Sequence, residues 1–314
     1  LRTRLAPSPT GALHLGNART FLLNWLLARK MGWEIALRIE DLDGPRIKAG
    51  ADAAAIADLQ WLGLDWDEGP IYQSSRLELY RKAMAQLIAT GCVYPCVCSR
   101  KEVEQAASAP HAEDGAVVYP GTCRDRFASI AAARAASGRE PALRFRVPPG
   151  ELQWMDAGRG KQVCDVSREL GEFVIAKADG TPAYQLAVVV DDAAMGVTHI
   201  VRGDDLIDST PRQILVYRAL GLADQIPEYR HLPLVTGEDG RRLAKRHGDT
   251  RLSYYREMGV TAGRILAMLA RWCNIAMESD TVELGELLER FDVSRLPGTA
   301  TVFTETDDRW LRGM

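Results

Sequence analysis

Short apolar runs alternate with stretches of helical period along this chain, the pattern of an α/β protein. Residues 2–5 alternate and run into Pro7, Pro9 and Gly11, which predicts a strand leaving its sheet and turning. Ala18, Phe21, Leu22, Trp25 and Leu26 then recur at i, i+3, i+4, i+7 and i+8, the apolar stripe of a helix packed on a sheet. Residues 34–39 read as a second strand and 49–63 and 75–90 as helices. A turn-rich connection from Trp61 to Pro70 joins those helices, with Trp61 and Trp66 as packing residues. Residues 129–138 read as a short Ala-rich helix, and 143–147 as a half-exposed strand with Arg144 and Arg146 on its solvated face. The chain then returns to the main sheet with residues 184–192, and 198–206 form a buried strand ending in a Gly turn, after which Ser209 or Thr210 caps a helix. From Thr261 the period is helical again, through 264–272 and 282–291.

Length adds that 314 residues suffice for two domains or one large domain with insertions. A net charge of −3 means that any nucleic-acid footprint must be local. No apolar run approaches the ~18 residues of a membrane helix, and no signal-like pattern opens the chain. Six unevenly spaced cysteines without an export signal predict a reducing, cytoplasmic setting and no disulfides. Because the chain opens on Leu1 rather than Met, residues are expected to precede it.

Four places carry candidate chemistry. Gly16 and Asn17 sit where the first helix begins, and unpaired N–H groups with the positive end of the helix dipole favour anions there. His14 stands at the mouth of that site, although an ordinary capped helix would look similar. The second strand delivers Glu40-Asp41-Leu42-Asp43 at its C-terminal end, where open α/β sheets bind ligands, or else simply a solvated turn. Cys96-x-Cys98 and, after a Ser/Ala/Pro/Gly-rich loop, Cys123 offer soft thiolates suited to Zn²⁺, with Cys92 and His111 as conventional candidates for the fourth ligand. Residues 241–248, Arg-Arg-Leu-Ala-Lys-Arg-His-Gly, are a basic run of the kind found on solvated faces, nucleic-acid patches or catalytic loops.

The whole string from Arg4 to Arg19, with S-P-T-G-x-L-H-x-G-N-A-R from Ser8, resembles the HIGH-type signature of class I aminoacyl-tRNA synthetases in the form of their glutamyl branch. Residues 241–248 resemble the KMSKS loop of the same family, with Lys245 at its key lysine and Arg242, Ala244 and Arg246 replacing Lys, Ser and Ser. The resemblance implies a Rossmann-type, parallel-sheet α/β catalytic domain over 1–91 and 165–235 and a zinc-binding, acceptor-type insertion over 92–164. It also implies a KMSKS-like loop with a helical stem-contact region over 236–314, and no anticodon-binding domain. His14 and Lys245 are the implied catalytic residues, and His14, Gly16, Asn17 and Lys245 would hold ATP, which enters with Mg²⁺. Arg4, Ala6, Ser8, Glu40, Tyr184 and Arg202 would surround L-glutamate, with Glu40 pairing its ammonium and the arginines its carboxylates.

The pattern C-x-C…Y-x-G-x-C-R resembles the single structural zinc site of one subgroup, in which a tyrosine oxygen joins three cysteines; the ligands would be Cys96, Cys98, Tyr119 and Cys123. That subgroup transfers glutamate to the queuosine base of tRNA(Asp). The alternative is the catalytic part of an enzyme that charges tRNA(Glu). A non-catalytic tRNA-binding relative is a third reading, against which the intact His14, Lys245, Glu40 and Arg202 weigh. A monomer without a membrane partner is expected.

Overall fold

A computed structural model describes residues 1–42, 44–107, 118–241, 243 and 248–314. The chain opens with β1 (Arg2–Leu5), α1 (Leu15–Met31), β2 (Glu34–Ile39), α2 (Ala51–Trp61), β3 (Glu68–Tyr72) and α3 (Leu77–Ala89). The three strands are parallel in the order β1-β2-β3. There follow β4 (Val93–Cys96), α4 (Arg100–Ala107), α5 (Ile130–Ser137), β5 (Ala142–Phe145), β6 (Leu152–Asp156), β7 (Gly160–Cys164) and β8 (Val174–Ala176). Next come α6 (Tyr184–Ala194), β9 (His199–Gly203), α7 (Ser209–Ala219), β10 (Glu228–Leu232) and β11 (Val235–Thr236). The chain finishes with α8 (Leu252–Glu257), α9 (Ala262–Arg271), α10 (Leu284–Arg290), β12 (Thr301–Val302) and α11 (Glu305–Leu311).

A second sheet runs β7-β6-β10-β9, with β6, β10 and β9 parallel. It abuts the first where the Thr198 N–H donates to the Arg2 carbonyl at 2.9 Å. The C-terminal ends of β1 and β9 therefore lie side by side where the chain switches direction of winding, the crevice in which such sheets bind ligands. The period of two along β2 divides the core. Ile35, Leu37 and Ile39 join the α1 and α9 residues Leu22, Leu26, Ile265 and Leu269 on one face. Ala36 joins Tyr80, Leu186, Val189 and Val216 of α3, α6 and α7 on the other.

Several expectations change. Residues 184–192 are a helix, not a strand: Leu186 to Asp192 are buried all round, so α6 lacks the polar stripe that marks a surface helix. Ser209 and Thr210 begin α7 rather than capping it. Arg144 is not solvated, because β5 is the middle strand of the antiparallel sheet β4-β5-β8. Its guanidinium donates to the Glu172 carbonyl at 2.7 Å and stacks 3.7 Å from the Tyr119 ring. Residues 68–70, placed in the connection, are part of β3. Within 92–164, β6 and β7 pair into the sheet of β9 and β10, whereas β8, beyond that stretch, pairs with β5. Among the described residues, no helix is long and apolar enough to cross a membrane, and all six cysteines are unpaired.

Candidate active site

Residues 6–14 cross the ends of β1 and β2, held by bonds from the Glu40 N–H to the Pro7 carbonyl and from the Lys48 N–H to the Pro9 carbonyl, each 3.0 Å. His14 is the N-cap residue of α1, and its N–H donates to Asn17 Oδ1 at 3.3 Å. Gly16 leaves the ring its place: a Cβ there would lie 3.1 Å from His14 Cε1, so the imidazole would have to shift by a few tenths of an ångström. The flanks of the basic motif reach the same place. Leu15 N–H donates to the Thr250 carbonyl (3.0 Å), Leu252 N–H to the Leu13 carbonyl (2.9 Å) and Leu243 N–H to the Val235 carbonyl (2.9 Å). Lys245 itself lies outside the described residues, as do Arg242, Ala244 and Arg246.

One cleft is lined by Arg4, Ala6, His14, Gly16, Asn17, Glu40, Tyr184 and Arg202. Ser8 lines an adjoining opening with Glu40 and Tyr184, and its hydroxyl donates to the Glu40 carbonyl at 3.4 Å. Apart from Lys245, the residues singled out for glutamate and for phosphate thus converge at the ends of β1, β2 and β9.

Beneath them lies a charge network that the sequence reading missed. Arg38, fully buried in β2, donates to Asp192 Oδ1 at 2.5 Å and to Glu40 Oε1 at 3.1 Å. Arg4 Nε stands 3.5 Å from the same Asp192 oxygen. Asp191, next along α6, instead accepts from Arg76 (2.6 Å), Gln73 (2.8 Å) and Tyr80 (2.7 Å). Burial pushes the Glu40 carboxyl upward, against the pull of Arg38 and Arg4, whereas Arg38, despite burial, is raised by its three carboxylates and stays charged. A usable signal existed: an arginine inside an apolar strand and two aspartates ending an apolar helix each require a buried partner.

Arg202 is anchored from a different side. Its Nε donates to His231 Nε2 at 3.0 Å and its Nη2 to Thr210 Oγ1 at 2.8 Å, while Nη1 is buried with no protein hydrogen bond among the described residues.

The cysteines gather elsewhere. Cys96, Cys98 and Cys123 present sulfurs within 4.8 Å of one another. The Tyr119 hydroxyl lies 3.5 Å from Cys96 Sγ and 3.7 Å from Cys98 Sγ, and accepts from the Cys123 N–H at 2.8 Å. Burial pushes the Cys98 thiol up to about 12 and the Tyr119 phenol upward, whereas the Cys123 thiol, against its burial, is brought down by hydrogen bonds from Val97, Cys98 and Tyr119. Cys92 does not join them; it packs with the core beneath α3. His111 lies outside the described residues.

Residues 1–310 match the family model for the catalytic domain of class I tRNA synthetases (E and Q). A glutamyl-Q tRNA(Asp) synthetase of Symbiobacterium thermophilum is 50% identical over 303 residues, covering 94% of this chain and 93% of its own. Its counterpart in Rhodopirellula baltica is 46% identical over 329 residues, 97% and 98% of the two chains. A glutamate–tRNA ligase of Oleidesulfovibrio alaskensis is 42% identical over 312 residues, covering 99% of this chain but 65% of its own. Among solved structures, a glutamate tRNA ligase from Elizabethkingia meningosepticum in complex with its amino acid superposes with a TM-score of 0.83 at 28% identity, covering 99% of this chain and 68% of that one. The parallel sheet, the ligand crevice at its switch point and these relatives agree: the chain is a ligase of the class I aminoacyl-tRNA synthetase family, in its glutamyl branch and among the glutamyl-Q tRNA(Asp) synthetases.

Proposed function

We propose that the chain activates L-glutamate with ATP and passes the glutamyl group to the queuosine base of tRNA(Asp). The convergence of Arg4, Glu40 and Arg202 with the start of α1 in one cleft carries the activation step. Glu40 takes the α-ammonium, Arg4 and Arg202 take carboxylate, and Ala6, Ser8 and Tyr184 shape the pocket. The α-carboxylate then attacks the α-phosphorus, pyrophosphate leaves, and glutamyl-adenylate forms. Positioning and charge stabilisation account for most of such a reaction. His14 and the helix start at Gly16 and Asn17 hold phosphate oxygens, and Lys245 neutralises charge on the departing pyrophosphate. Mg²⁺ accompanies ATP. A hydroxyl of the acceptor attacks the activated carbonyl in the second step, releasing AMP.

The acceptor is proposed from the near end-to-end correspondence with the glutamyl-Q relatives and from the Cys96, Cys98, Tyr119 and Cys123 cluster. Three soft sulfurs and a phenol oxygen at one point suit Zn²⁺, which would tie the end of β4 to the 119–123 loop as a structural ion. The basic residues 241, 242, 245 and 246 would contribute salt-dependent affinity for RNA. Charging of tRNA(Glu) is the second reading, favoured by 42% identity to a glutamate–tRNA ligase across 99% of this chain.

The test is glutamate-dependent ATP–pyrophosphate exchange without tRNA, followed by transfer of labelled glutamate to tRNA(Asp) with and without queuosine and to tRNA(Glu). Exchange without tRNA and labelling only of queuosine-bearing tRNA(Asp) is the expected result. Exchange that requires tRNA(Glu), with the label at its 3′ end, overturns it.

A further inference from the structure

Arg202 reaches the cleft only because something behind it fixes its guanidinium, and that support comes from residues outside the cleft lining. His231 of β10 and Asp156 of β6 are fully buried, and His231 Nδ1 lies 2.5 Å from Asp156 Oδ2. Asp156 Oδ1 is already occupied: it accepts from the backbone N–H groups of Gly158 (2.9 Å), Arg159 (2.8 Å) and His231 (3.1 Å). A carboxylate so supplied with donors stays ionised, and hydrogen bonding from His231 holds Asp156 below its ordinary range in spite of burial. Its Oδ2 therefore accepts a hydrogen bond from the His231 Nδ1–H, which leaves His231 Nε2 as a lone-pair acceptor. Arg202 Nε donates to that lone pair at 3.0 Å, and Thr210 Oγ1, 3.3 Å from it, accepts from Arg202 Nη2 at 2.8 Å. With two guanidinium nitrogens tied, Nη1 is left buried with no protein hydrogen bond among the described residues.

We propose that Asp156 and His231 are positioning residues for amino-acid recognition: Asp156 sets the His231 tautomer, and that tautomer aims Arg202 Nη1 at a carboxylate of the substrate. The inference rests on the reading of Arg202 as a glutamate-binding residue.

The decisive variant is Asp156→Asn, which barely changes volume. The three backbone donors hold the amide oxygen at the Oδ1 place, so the amide N–H₂ faces His231 Nδ1. That ring nitrogen then accepts, the proton moves to Nε2, and an N–H confronts the Arg202 Nε–H. In His231→Gln, the side-chain amide oxygen takes the acceptor place of Nε2.

In ATP–pyrophosphate exchange with the full chain, Asp156→Asn should raise the KM for glutamate about 30-fold while the KM for ATP moves less than twofold. His231→Gln should stay within about threefold of the wild type for glutamate. Wild-type KM for glutamate should also climb at acid pH once His231 gains a proton, and His231→Gln should lose that climb. Burial, reinforced by Arg202, keeps His231 neutral below the ordinary histidine range, against the pull of Asp156 and Asp204; Tyr229 stacks beside it. The pH comparison decides the matter if Asp156→Asn does not fold. Equal glutamate KM in wild type and a folded Asp156→Asn, losses for glutamate and ATP in parallel, or identical pH profiles overturn the proposal. Arg202→Lys is the separate control: an unchanged glutamate KM there removes the reading of Arg202 itself.

Discussion

Asp191 and Asp192 are adjacent, equally buried and chemically identical, yet the structure predicts different consequences for their loss. Asp192→Asn removes the negative charge between Arg38 at 2.5 Å and Arg4 at 3.5 Å. Breaking a buried ion pair from one side costs about 3–5 kcal/mol. The lower end applies here, because asparagine keeps an acceptor oxygen and Arg38 keeps Glu40 at 3.1 Å. An entropy of unfolding of about 2.1 cal/mol/K per residue turns ~3 kcal/mol into a Tm loss of about 5 °C for a chain of this length. Arg4 and, through Arg38, Glu40 both lose their anchor, so the KM for glutamate should rise about tenfold, equivalent to ~1.4 kcal/mol. Asp191→Asn weakens bonds to Arg76, Gln73 and Tyr80, which dock α3 and the turn before it; Asp191 stands 4.0 Å from Arg38, farther than Asp192, and Gln73 reaches the adjoining opening but not the cleft itself. It should cost a similar Tm loss and leave the glutamate KM within twofold. Thermal unfolding and glutamate titration of exchange on both variants check this. Equal KM values for the two variants would falsify the division of labour.

Three further outcomes are expected. His14→Ala should slow ATP–pyrophosphate exchange by about 10²–10³-fold, the ~2.7–4 kcal/mol typical of one oxyanion-stabilising donor; a loss below tenfold in single-turnover kinetics would remove His14 from the phosphate site. Stripping zinc with a chelator should release about one ion per chain and lower Tm, since among the described residues the core there is small: Tyr94, Cys96, Tyr119 and Cys123, with Val97, Cys98, Val103 and Phe127 packed against them; a dye assay finding no zinc in freshly prepared protein would refute the site. Gly158→Ala places a Cβ 2.2 Å from the His231 carbonyl oxygen, a backbone atom with little room to yield. Its glutamate KM should rise with its loss of stability, whereas Gly160→Ala, in open space at a φ of +72°, should cost about 1 kcal/mol of stability only.

The legible parts of the site were those carried by short stretches of chain. Pro7, Pro9, Gly11, His14 and Gly16 lie within one turn and one helix start, so local geometry dictates where they go. β2 ran over the residues predicted, because its apolar alternation is self-contained. Pairings across long separations were not visible. Arg38 meets Asp192 across 154 residues and His231 meets Asp156 across 75, and nothing in the local sequence of any of the four names its partner. The error over α6 has the same root, since a helix covered on every side has no face for periodicity to report.

On the role proposed for Asp156, the register of the β6–β7 hairpin bears on substrate choice as well as on folding. Its register pairs Leu152 with Cys164 and Asp156 with Gly160, turning Leu152 and Asp156 inward and Gln153 and Met155 outward. Strand side chains alternate, so a one-residue slip of β6 against β10, with which it also pairs, would turn Met155 inward and carry Asp156 to solvent. A thioether in that position offers the His231 Nδ1–H only a weak, uncharged acceptor and does not fix its tautomer. A one-residue insertion between 152 and 156 should therefore cost substrate choice as well as stability, whereas one at 157–159, which the edge strand β7 can absorb, should cost less of both.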